Sequence, residues 1–197
     1  MSIALLSGEI GAGKTTVCQR VVNLARSRGY ACGGLLTPAL IEDGRKVGIV
    51  GVDLGSGGRR VMARTDRDLG GPCVGCYHFT ADAFAWANAV IASAVEAGCD
   101  LLVVDEIGPL ELVQGGGLAP ALDVLGAAPR ALIVVRISLV DALRGRLEMG
   151  RRASFDSAAL RSGCPRSIIS KVFVTTAGSR DRLPDEVASW LLGLSSD

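Results

Sequence analysis

The chain has almost no charge of one sign to spare, with 21 Lys+Arg against 20 Asp+Glu and a formal net charge of +1 over 197 residues. That balance excludes the basic face that nucleic acid or an anionic membrane surface would need. Long hydrophobic runs are also missing: 49% of residues are hydrophobic, yet no uncharged stretch reaches the length of a bilayer span. No basic leader with a cleavage site precedes the first apolar segment, so the expected location is the cytoplasm. Internal repeats and low-complexity linkers are absent, and residues 1–197 read as a single domain. Histidine is nearly absent, with His78 as the one example. The cluster Cys73-Val-Gly-Cys76-Tyr-His78 offers three soft ligands, but it has no second C-x-x-C, and c-type haem attachment needs Cys and His adjacent. The 6 cysteines, Cys18, Cys32, Cys73, Cys76, Cys99 and Cys164, are therefore read as reduced core thiols, with a metal at Cys73, Cys76 and His78 as the open alternative.

Against this background one stretch stands out. Gly8-Glu9-Ile10-Gly11-Ala12-Gly13-Lys14-Thr15-Thr16 fits the phosphate-binding pattern G-x-x-x-x-G-K-[ST]. Its context fits too: Ile3–Leu6 is a short apolar strand, and Thr15–Arg28 carries Val17, Val21, Leu24 and Ala25 at helical spacing before Gly29. Gly8, Gly11 and Gly13 free the backbone to turn its N–H groups onto phosphate oxygens at the positive end of a helix dipole. Lys14 then supplies a charge to the β- and γ-phosphates, and the Thr15 hydroxyl a ligand to Mg²⁺. Thr16 lies within reach of the α-phosphate.

Further along, Gly34–Ile41, Lys46–Leu54 and Arg59–Ala63 read as three strands joined by short Gly-rich turns, which predicts an antiparallel β-meander over residues 34–64. Thr80 is the expected N-cap of an alanine-rich helix that ends at Gly98. Strands are predicted at Leu101–Val104, Ala131–Arg136 and Lys171–Thr175, with helices around Leu118–Leu125 and Pro184–Leu192. Such alternation predicts an α/β fold, a mainly parallel sheet with helices on both sides, to which the meander is appended.

The strand Leu101–Val104 ends in Asp105-Glu106. In a protein with a phosphate loop, an aspartate there is placed to hold the Mg²⁺ shell. Glu106, one residue on, is placed to take a proton from water in line with the γ-phosphate, which hydrolysis needs and binding alone does not.

These residues resemble the nucleoside-triphosphatase family first described from hyperthermophiles, whose members include cancer-related nucleoside-triphosphatases. The likeness is carried by Gly8–Thr16, Thr37-Pro38, Asp43–Gly48, Val52–Leu54, Val74–Tyr77 and above all Val104-Asp105-Glu106-Ile107-Gly108-Pro109-Leu110-Glu111-Leu112. Thr176–Pro184 resembles the family's C-terminal signature. The resemblance implies a RecA-like P-loop NTPase fold and Mg²⁺-dependent hydrolysis of nucleoside triphosphates to diphosphate and phosphate, with loose choice among bases. It also implies phosphate contacts from Gly8, Glu9, Ile10, Gly11, Ala12, Gly13, Lys14, Thr15 and Thr16, metal contacts from Thr15 and Asp105, and Glu106 as general base. Arg180, in the C-terminal signature, is implied near the base or ribose. Between the two matching regions the chain departs from the family, and Arg144, Arg146, Arg151, Arg152, Arg161 and Arg166 fall in a segment, 144–170, read as an insertion or flap.

Two alternatives stay open. A small-molecule kinase would use the arginine segment as a lid over the transferred phosphoryl group. A nucleotide-dependent switch or maturation factor would time contact with a protein partner by slow hydrolysis. A solvated helical face is the plainer reading of those arginines.

Overall fold

A computed structural model describes residues 1–158 and 169–193. Its elements are β1 (Ser2–Gly8), α1 (Lys14–Ser27), β2 (Cys32–Leu36), β3 (Ala39–Glu42), β4 (Arg45–Asp53), β5 (Arg59–Arg64), β6 (Gly70–Val74), β7 (Tyr77–Thr80), α2 (Ala83–Glu96), β8 (Leu101–Ile107), α3 (Pro109–Leu112), α4 (Ala119–Val124), β9 (Arg130–Val135), α5 (Val140–Ala158), β10 (Ile169–Thr175) and α6 (Leu183–Leu192). All the strands join one sheet in the order β10-β1-β9-β8-β2-β4-β5-β7-β6, with β3 on β4. From β10 to β2 the pairing is parallel; from β2 to β6 it is antiparallel.

The parallel strands are apolar on both faces, and their side chains feed two cores by simple alternation. Ile3, Leu5, Leu102, Val104, Ile133 and Val135 pack toward α2, α4 and α5, whereas Ala4, Leu6, Leu101, Val103, Leu132 and Val134 pack toward α1 and α6. Helices thus cover both faces of the parallel half, as a doubly covered sheet requires. Among the described residues no helix is long and apolar enough to cross a membrane.

The structure redraws several expected boundaries. The strand expected over Gly34–Ile41 is two, because Pro38 has no N–H to give a ladder, although both parts pair with the same side of β4. Its first part, β2, lies in the parallel half beside β8; its second, β3, is a hairpin arm on β4. The antiparallel half also runs past residue 64, through the β6–β7 hairpin, where Gly75 and Cys76 form the two-residue loop between Val74 and its partner Tyr77. Thr80 is not the cap of α2: it ends β7, and Asp82 holds the N-cap position.

Cys18, Cys32 and Cys99 are buried thiols, but Cys73 and Cys76 are exposed, so the core reading fails for that pair. Cys76 is in the turn of the β6–β7 hairpin, and Cys73 stands on β6, next to Val74, which packs against the core. Among the described residues no group of three or more His, Cys, Asp or Glu is placed to hold a metal. Cys164, Arg161 and Arg166 lie outside the described residues. Arg144 and Arg146 stand on α5, where Arg144 pairs with Asp141 at 3.8 Å and Arg146 with Asp123 at 2.7 Å.

Gly34 fixes the closest approach of β2 to β8. Its φ is +99°, and a Cβ there would lie 2.2 Å from the Val103 carbonyl oxygen. Gly34→Ala must therefore lower unfolding stability by more than about 1 kcal/mol in urea titrations. A smaller change would mean that β2 does not pack as described.

Candidate active site

At the end of β1 the chain turns through Gly8–Gly13 into α1. Gly8 has φ +149° and faces Thr175 across the β1–β10 ladder, where a Cβ would meet the Thr175 carbonyl oxygen at 2.5 Å. Gly13, at φ 94°, is the N-cap of α1, whose first N–H groups have no partner within the helix. Lys14 is nearly buried, and its Nζ donates to the carbonyl oxygens of Gly8 at 2.9 Å and Glu9 at 3.0 Å. The ammonium group is thus held inside the curve of the loop. Glu9, Ile10 and Gly11 form its exposed crest.

Two strands away, β8 brings its own carboxylates to the same end of the sheet. The β8–β9 register shifts between Val104 and Ile107, so three steps on β8 match two on β9. This bulge inserts one residue, and the alternation of faces changes there. Asp105 stays on the α1 side, Ile107 returns to the opposite core, and Glu106 lies between them, half-exposed near the C-terminal end of β8.

Asp105 is 2% exposed. Its Oδ2 accepts hydrogen bonds from Thr15 Oγ1 at 2.8 Å and from the Thr37 backbone N–H at 3.1 Å. Burial pushes the Asp105 carboxyl above its usual range; the bonds from Thr15 and Thr37 oppose that shift, and the Glu106 charge adds to it. A buried carboxylate beside a hydroxyl is a hard-oxygen donor set that suits Mg²⁺, which keeps waters and substrate phosphates for its other positions. Glu106 Oε1 lies 3.6 Å from Arg136 Nε, on the residue that follows β9.

A family model described as NTPase matches residues 3–188. Nucleoside-triphosphatase THEP1 of Methanopyrus kandleri is 35% identical over 160 residues, covering 75% of this chain and 87% of that protein. The chain belongs to this nucleoside-triphosphatase family. THEP1 of Thermofilum pendens is 31% identical over 194 residues, 96% of this chain and 95% of that protein. Two solved structures share the fold: THEP1 of Aquifex aeolicus, with 21% identity, TM-score 0.61 and coverage of 97% of this chain and 99% of that one, and a human cancer-related nucleoside triphosphatase, with 23% identity, TM-score 0.68 and complete coverage (100%) of both. Both likenesses are of fold and run over nearly the whole of each chain.

Within this family member, the structure brings Lys14, Thr15, Asp105 and Glu106 to one end of the sheet. Thr16 is exposed on the first turn of α1, in a cleft shared with Gln19, Arg20, Leu36 and Pro38. Arg180 follows β10 and lies over the loop, its Cδ 2.6 Å from where a Cβ on Gly13 would be. Its neighbour Asp181 pairs with Arg20 at 2.9 Å and ties that segment to α1.

Sequence reasoning missed three residues here. Thr37 acts through its backbone, which no side-chain pattern reveals. Arg136 reaches Glu106 only because β9 lies next to β8. Glu111 is buried and accepts from the N–H groups of Gly108 at 2.8 Å and Leu118 at 3.2 Å, clamping the chain that leaves β8. A Gly-Pro start followed by Glu two residues later, a capping-box signal, was there to find it.

The Lys14 geometry makes a direct prediction. Lys14→Ala is expected to weaken ATP affinity by about 10- to 100-fold in calorimetric titration, the worth of a charged hydrogen-bond donor. Equal affinity would mean that the loop does not hold phosphate.

Proposed function

We propose that the chain hydrolyses nucleoside 5'-triphosphates, ATP and GTP among them, to diphosphate and phosphate with Mg²⁺ as cofactor. One observation carries this reading: Glu106 stands one residue beyond Asp105 on a bulged strand, while Asp105 is already hydrogen-bonded to Thr15 of the phosphate loop's helix at 2.8 Å. Loop and carboxylates therefore lie at one end of the sheet. The name nucleoside-triphosphatase, borne by the curated relatives, supports the same reading.

In this account the backbone of Gly8–Thr16 and the Lys14 ammonium bind the phosphate chain, and Arg180 lies on the nucleoside side. Thr15 and Asp105 hold Mg²⁺, which when bound offsets charge on the β- and γ-phosphates. Glu106 accepts a proton as the water oxygen attacks the γ-phosphorus; the bond from that phosphorus to the β,γ-bridging oxygen breaks, and the diphosphate leaves. The substrate is a free nucleotide in the cytoplasm, with neither nucleic acid nor membrane as partner.

Replacing the base should separate chemistry from binding. Glu106→Gln is expected to slow phosphate release by about 10²- to 10⁴-fold while ATP affinity in Mg²⁺ stays near wild type. Unchanged turnover would reject Glu106 as the base. Excess chelator should stop phosphate release by the wild-type protein and restored Mg²⁺ should recover it; turnover that persists in chelator would contradict the metal assignment.

A further inference from the structure

We infer that Arg136 is the positioning residue for Glu106, an inference that rests on the hydrolytic reading of that carboxylate. Three features of its placement point there. First, β9 lies between β1 and β8, so the residue that follows it emerges between the phosphate loop and the carboxylate strand. Second, Leu6 pairs with Val134 in the β1–β9 ladder, so Arg136, two residues on, is level with Gly8, whose carbonyl oxygen holds the Lys14 ammonium. Third, Leu132 and Val134 face α1, and the same alternation puts Arg136 on that face, the one that carries Asp105 and Thr15.

The backbone at this point is held firmly. Val135 is fully buried, and the Arg136 carbonyl oxygen accepts from the Leu139 N–H at 2.9 Å, closing a 3₁₀ turn. A fixed backbone and a half-exposed guanidinium give Arg136 a defined place from which to hold a carboxylate. As a stability device the pair is poor: the side chains are 55% and 37% exposed and the separation is 3.6 Å, a setting in which ion pairs contribute little. Glu106, by contrast, lies within a bulge and has no ladder partner on β9 to fix it. Arg136 supplies the missing constraint and turns the carboxylate toward the phosphate loop. It acts through Glu106 and not on the substrate.

Four proteins test this: Arg136→Ala, Arg136→Lys, Glu106→Gln and the Glu106→Gln/Arg136→Ala double variant, each measured for ATP affinity and for single-turnover phosphate release. Arg136→Ala is expected to lower the rate about 10- to 100-fold, the cost of a base displaced by about an ångström, with affinity unchanged. Arg136→Lys should recover part of the rate, because it keeps the charge and loses the planar fork. In the double variant the Arg136 change should cost nothing beyond Glu106→Gln, since its effect passes through the missing carboxylate. Losses that multiply, or a fall in affinity that accounts for the rate, would overturn the inference while leaving the base assignment intact. A fully active Glu106→Gln would overturn both. Should Arg136→Ala fail to fold, Arg136→Gln carries the same comparison.

Discussion

The hydrogen bond from Thr15 Oγ1 to Asp105 Oδ2, 2.8 Å long, fastens the two halves of the site. The phosphate loop grows from β1 and the carboxylates from β8, with β9 between them, so their backbones stand about 10 Å apart, twice the usual strand spacing. Side chains alone must close that distance. Thr15 does so from the first turn of α1, which the apolar packing of Val17, Val21 and Val22 holds over the sheet. Asp105 does so from below, and the Thr37 N–H just beyond β2 donates to the same Oδ2. Loss of any of these three elements would let the halves drift.

The sheet accordingly has two jobs that its halves divide. The parallel half aligns the C-terminal ends of β1, β9, β8 and β2 at one edge, the place where α/β sheets leave room for ligands. The antiparallel half extends the same sheet away from that edge. It is joined to the parallel half by the β2–β4 pairing, and within it Arg64, a buried arginine on β5, bonds both Glu42 of β3 and Asp66 beyond its own strand. The single inserted residue in β8 then gives two neighbouring carboxylates different surroundings, one buried toward Thr15 and one half-exposed beside Arg136.

Local chemistry was the part of this arrangement that the sequence made legible. A loop of glycines before Lys14-Thr15 has few other uses, and apolar residues ending in Asp105-Glu106 mark the end of a buried strand. What the sequence did not carry was order and pairing. Nothing in Arg130–Val135 says that this strand lies between β1 and β8, because parallel pairing is decided by contacts distant in the chain; Arg136 was thus seen only as the end of a strand. Boundaries failed for a local reason: Pro38 splits a run of strand-like residues, and Asp82, not Thr80, holds the N-cap position of α2. Cys73 and Cys76 misled because their apolar neighbours suggested a core, whereas Cys76 lies in a two-residue turn and Cys73 on the exposed strand β6 that leads into it.

The central claim is that loop and carboxylates form one metal-dependent hydrolytic site. A crystal structure with Mn²⁺ in place of Mg²⁺ and a non-hydrolysable triphosphate tests it most directly. The account predicts an anomalous peak beside Thr15 Oγ1 and the Asp105 carboxylate, with a water between Glu106 and the terminal phosphate. Manganese bound elsewhere, or a Glu106 carboxylate turned away from the phosphate chain, would contradict it.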